Sequence, residues 1–156
     1  MTTQTGGDEK TQLQYLNDER AIIWALYEYA HSFDYGPEKR FRDCFTSTGS
    51  TEKRWRGEFE SKHRNHESLT PGPWKPHEGS KHIVHVPMVL SIDGDTASTE
   101  AYWTYLVEGG NNPHLQSFGR YIDQLKKGSD GRWRIDERII DVEARTLARQ
   151  EKTVKK

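Results

Sequence analysis

KHIVHVPMVLSIDGDTASTEAYWTYL, residues Lys81–Leu106, alternates in character on both sides of one turn signal, Asp93-Gly94-Asp95. Alternation with period two sends successive side chains to opposite faces, and Asp-Gly between two such runs predicts a β-hairpin. Its strands are Lys81–Ile92 and Thr96–Glu108. In the first, His82, Val84, Val86, Met88, Leu90 and Ile92 share the apolar face; Ile83, His85, Pro87, Val89 and Ser91 share the other. Strict alternation therefore turns His82 toward the interior and His85 away from it, unless a bulge intervenes.

Downstream, Gly109-Gly110-Asn111-Asn112-Pro113 and Gly128-Ser129-Asp130-Gly131 are two more turns. They bound a strand over His114–Lys126 and precede a last one over Arg132–Glu143, which completes an antiparallel meander. On the last strand Trp133, Ile135 and Ile139 alternate with Arg134, Asp136 and Arg138. Glu137 then falls on the Trp133 face and requires a cavity or a cation such as Arg120.

Upstream, Ile22, Leu26, Tyr29 and Phe33 recur at helical spacing, with Ile23 and Ala30 widening the stripe. Asn17 or Asp18 is the expected N-cap, and residues 1–12 the expected disordered tail. Gly36-Pro37 ends this helix and opens another, on which Phe41 and Phe45 share a face. Lys53–Phe59 reads as one strand with Trp55, Gly57 and Phe59 on one side. Ser61–Ser80, with Pro71, Pro73 and Pro76, reads as a loop with one short helix before Thr70. Helices first and a meander after is an α+β arrangement, helices packed on one face of the sheet. The domain spans residues 13–144, and residues 145–156 form a basic tail.

The 156 residues suit one domain. Hydrophobic residues make up 32%, but five Trp, seven Tyr and five Phe supply large buried areas, so the core should be aromatic and leave room for a cavity or an interface. A net charge of -1 provides no field for nucleic acid or an anionic membrane. Cys44 is the only cysteine, which excludes an internal disulfide and suits a reducing compartment. With no signal peptide and no membrane-spanning run, a soluble cytoplasmic protein is expected.

An imidazole facing an apolar interior needs a hydrogen-bond partner. Tyr29 and Asp34 lie on opposite margins of the helical stripe, at about 100° per residue, so both can point beneath the helix. His82 is then either a satisfied core histidine or a general base. In the second reading Asp34 accepts from His82 Nδ1–H, fixes the tautomer and raises the basicity of Nε2, while Tyr29 donates to a substrate carbonyl. Tyr29 also fits plain core packing, and Asp34 a helix end. His63, His66 and His77 beside Glu60, Glu67 and Glu78 lack any metal-ligand motif, so neither metal nor cofactor is expected. His31 is expected in solvent.

LNDERAIIWALYEYAHSFDYGPEKRFRDCF, KHIVHVPMVLSIDGDTASTEAYWTYL and SFGRYIDQLKKGSDGRWRIDERII, in this order, resemble the opening helices, first hairpin and closing hairpin of the SnoaL-like branch of the nuclear transport factor 2-like superfamily. The resemblance covers about Gln14 to Glu143. It implies a cone-shaped α+β barrel, in which a strongly bent antiparallel sheet wraps around the N-terminal helices and encloses a deep pocket. It also implies similarity to cofactor-free lyases such as scytalone dehydratase and bile-acid 7α-dehydratase, whose dyad carries over as His82 and Asp34, with Tyr29. Where some of these lyases place a basic residue near the end of the last strand, this chain has Asp141 or Val142.

The expectation is a dehydratase-like lyase or isomerase acting on a small hydrophobic, cyclic hydroxy-ketone. Tyr27, Trp55, Trp103, Tyr105 and Phe118 are the expected substrate-binding residues, and a homodimer or homotrimer the expected assembly. The alternatives are a non-catalytic ligand-binding protein and the small structural subunit of a ring-hydroxylating oxygenase.

Overall fold

A computed structural model describes residues 9–64, 75, 79–109 and 112–146. The elements are α1 (Glu9–Tyr35), α2 (Glu38–Arg42), β1 (Phe45–Trp55), β2 (Glu58–Arg64), β3 (Ser80–Asp93), β4 (Thr96–Val107), β5 (His114–Lys127) and β6 (Trp133–Arg145). One curved sheet runs in the order β2-β1-β6-β5-β4-β3. All neighbours are antiparallel except β1 and β6, which pair in parallel. The fold is α+β, with α1 packed against β3 and β6.

Helix α1 is 27 residues long and already helical at Glu9, so Glu9–Gln12 belong to it rather than to a tail, and no cap forms at Asn17 or Asp18. The burial stripe starts a turn before the one expected, with Asp18, then follows Ile22, Leu26, Tyr29 and Phe33. Ile22 and Leu26 are fully enclosed, each contributing roughly 1.5–3 kcal/mol. The last turn closes when Gly36 N–H donates to the Ser32 carbonyl at 2.9 Å. A side chain at position 36 would meet that same oxygen at 2.6 Å, which requires glycine.

Other expectations are corrected as well, among them a loop beginning at Ser61, since β2 continues through His63 to Arg64. Phe45 is not helical: α2 is a single turn, and Phe45 opens β1, from which its ring still meets Phe41 edge-on at 5.5 Å. Lys53–Phe59 is not one strand, because Arg56 and Gly57 both take positive φ and form a two-residue hairpin turn between β1 and β2. On β3 the alternation breaks at Val86, where φ is 44°, and the register shifts between His85 and Met88 and again between Val89 and Ser91. These bulges turn Val89 toward the core and leave Val86, Met88 and Leu90 more than half exposed.

Another bulge sits on β6 opposite Gln124 and Leu125. Beyond it Arg138 faces inward and Glu137 outward; Ile140, not Ile139, packs on the core. Arg120 pairs with Glu143 rather than with Glu137. Gly110 and Asn111, most of the segment 65–78 and the residues from 147 onward lie outside the described set, with His66, His77 and the short helix expected before Thr70. No described helix is long and apolar enough to cross a membrane.

Candidate functional site

The last turn of α1 meets the beginning of β3. Because β3 is an edge strand, N–H groups on its outer side have no sheet partner. That of His82 donates to Asp34 Oδ2 at 2.9 Å, and His82 Nδ1 lies 2.7 Å from Asp34 Oδ1. Toward an ionised carboxylate a ring nitrogen must donate, which places the hydrogen on Nδ1 and leaves Nε2 as the basic nitrogen. The Asp34 side chain is 4% exposed and that of His82 13%. The imidazole is stacked against Tyr105, centroids 4.5 Å apart, and meets Phe33 edge-on at 4.7 Å. Two aromatic rings and the Nδ1–carboxylate contact orient the ring, while the second carboxylate oxygen holds the His82 backbone.

A cavity of about 350 Å³ opens beside this imidazole, walled by Tyr29, Phe33, Trp103, Tyr105 and Tyr121. A second hollow of about 300 Å³ lies on the helix side of the pair, lined by Tyr27, His31, Tyr35 and Lys81 together with Asp34 and His82. Of the residues expected to bind substrate, Trp103 and Tyr105 wall the first cavity. Tyr27 borders the second instead. Phe118 belongs to neither, because Ser117, Gly119 and Tyr121 occupy the inward parity of β5 and Phe118 points outward, 40% exposed. Trp55 stands behind the mouth as a platform for the Arg145 guanidinium, 4.5 Å from its ring centroid.

Tyr29 is 2% exposed and ringed by Phe33, Phe41, Phe45 and Tyr121. Burial pushes its phenol pKa up, although the neighbouring Arg138 opposes this, so the hydroxyl keeps its proton. Arg138 is the group that the strand pattern missed. Its guanidinium lies 4.1 Å from the centroids of both Tyr29 and Tyr121, and it makes two bonds to Asp123 at 2.8 and 2.7 Å. Burial works against its charge, but the Asp123 carboxylate outweighs that and raises its pKa above the ordinary arginine value. The available signal was Asp123 itself: an acid on the parity of Tyr121 and Leu125 demands a buried cation.

Cys44 offers no nucleophile, since burial pushes its thiol up to about 11. Among the described residues no group of three or more His, Cys, Asp or Glu side chains is arranged to hold a metal.

A family model described as SnoaL-like domain matches residues 14–139. A search of curated proteins finds no match. Similar solved structures include an NTF2-like protein with a cystatin-like fold from Novosphingobium aromaticivorans, at 16% identity and TM-score 0.72, covering 90% of this chain and 92% of that one. A protein proposed to be the beta subunit of an aromatic-ring-hydroxylating dioxygenase from the same organism has 15% identity and TM-score 0.70, with 86% and 94% covered. A proposed scytalone dehydratase, also from that organism, has 14% identity and TM-score 0.63, with 85% and 88% covered. At these identities the likeness is one of fold.

Proposed function

The chain belongs to the SnoaL-like domain family, and from that premise we propose that it is a cofactor-independent, dehydratase-like lyase acting on a small hydrophobic, cyclic hydroxy-ketone. The observation that carries this reading is the 2.7 Å contact between His82 Nδ1 and Asp34 at the wall of an aromatic cavity. In the proposed reaction His82 Nε2 removes the proton next to the carbonyl, and the C–H electron pair becomes the new C=C bond of an enolate. The Tyr29 hydroxyl donates to the enolate oxygen. When the carbonyl re-forms, the electron pair expels the hydroxyl on the β-carbon. That group takes the proton back from His82 and departs as water, leaving an α,β-unsaturated ketone. Asp34 keeps the imidazole in one tautomer throughout and stabilises its transient cation.

The test is turnover of a panel of cyclic hydroxy-ketones, followed by the ultraviolet absorbance of the enone. His82→Ala should remove it while the circular dichroism spectrum stays native. Unchanged turnover in that variant would eliminate His82 from the chemistry.

A second reading is a non-catalytic role, as a ligand-binding protein or as the small subunit of an oxygenase-type assembly. The outward-facing Val86, Met88, Leu90 and Tyr102, each more than half exposed, favour it. Light scattering tests the assembly role: aggregation without a different subunit supports it, whereas a homodimer or homotrimer of the protein alone opposes it, and turnover then separates the lyase from a ligand-binding protein.

A further inference from the structure

We propose that the cavity beside His82 selects ligands carrying a carboxylate at the end remote from the imidazole, with Lys53 and Arg145 as the specificity-determining residues at its mouth. The inference rests on reading this cavity as the ligand site of the proposed lyase. Its walls change character along the sheet. His82 stands on edge strand β3, whereas Lys53 on β1 and Arg145 at the end of β6 come from the other half of the strand order, and both line the same cavity. Their side chains are 46% and 41% exposed, against 13% for His82, so the cations occupy the open end and the base the closed one.

The charge there is not balanced. Glu60 is the one carboxylate paired with either cation among the described residues, 3.5 Å from Lys53 Nζ and 3.7 Å from Arg145 Nη1. One anion between two cations leaves a net positive charge, and both separations are too long for a direct hydrogen bond, so the N–H donors stay available. The neutral residues at this end are Gln116, Ser117 and Thr146, and among the described residues no Asp or Glu lines the cavity. Arg145 is also anchored. Its guanidinium carbon lies 4.5 Å from the Trp55 ring centroid, a contact that holds near the mouth a fork whose geometry matches a carboxylate. Aromatic walls with a base at one end and two cations at the other define an amphipathic ligand, a ring system bearing an acid.

Calorimetric titration of the full chain with 2-naphthoate and with 2-naphthamide tests this, because the two probes share a shape and differ in charge. The carboxylate should bind about tenfold more tightly at low salt, and the gap should narrow at about 0.5 M NaCl as screening sets in. The Lys53→Met/Arg145→Met variant should bind the amide as the wild type does and lose the preference. Equal binding of the two probes to the wild type, binding of neither, or a preference that persists in the double variant would each overturn the proposal. The lyase reading fails separately: a carboxylate preference in a protein whose turnover ignores His82→Ala keeps this inference and removes the other.

Discussion

Arg138 has no exposed side-chain surface; two tyrosine rings cover its faces and Asp123 takes its Nε and Nη2 hydrogens. Its Nη1 is buried without a hydrogen-bond partner among the described residues, as is the indole nitrogen of Trp103. Isolating one member of such a pair leaves an uncompensated buried charge, which costs about 3–5 kcal/mol. Asp123→Asn should therefore destabilise by about that amount in urea denaturation. The Asp123→Leu/Arg138→Met double variant should recover most of the loss, because no charge stays behind. A double variant as unstable as the single would show that packing, not charge, dominates there. The sequence exposed only half of this pair. Asp123 is on the inward parity of β5, but simple alternation sent Arg138 outward, since a bulge opposite Gln124 and Leu125 reverses parity without leaving a Gly or Pro signal.

At the scale of elements, β3 shows how far alternation carries. His82 and Val84 precede its first bulge and lie inward, as their spacing implies; Met88 and Leu90 follow it and lie outward. The bulge rests on Val86, a β-branched residue at positive φ, a conformation that crowds its side chain. Glycine there relieves the strain, and little burial is lost because Val86 is 65% exposed. Val86→Gly should thus raise the stability by about 0.5–1 kcal/mol, whereas glycine in a strand interior ordinarily lowers it. A fall in Tm for Val86→Gly equal to that of Leu90→Gly would mean that position 86 carries no strain. The β1–β2 hairpin was missed for a related reason: its turn is Arg56-Gly57, and Arg is not a residue that announces a left-handed conformation.

For the molecule as a whole, acid sensitivity should track the ties between α1 and the far hairpin. Burial alone would raise the pKa of Asp18, but hydrogen bonds from Gln14, Lys127 and Trp133 outweigh it and hold the carboxyl below its ordinary value. Asp43, bound by Arg132 and Arg134 against its own burial, is depressed likewise. A depressed folded-state pKa contributes stability that is present above the unfolded value, near 3.9, and lost as pH falls through the folded one. Tm should therefore hold level between about pH 7 and 5 and drop below about 4. Asp18→Asn should lower the neutral-pH value and flatten that acid limb; an unaltered limb would remove Asp18 from the account. Architecture and the inward imidazole were legible because helix and strand periods are strong signals, whereas the cationic mouth was not, since Lys53 and Arg145 are 92 positions apart in the chain (145 minus 53) and meet only in the folded sheet. The most direct test of the catalytic claim needs no leaving group: exchange for deuterium, in D2O, of the proton next to the carbonyl of a cyclic ketone that lacks the β-hydroxyl, followed by proton NMR. Wild type should accelerate the exchange, His82→Ala should abolish the acceleration, and Asp34→Asn should reduce it about 100-fold or more. Equal exchange in wild type and His82→Ala would contradict the account.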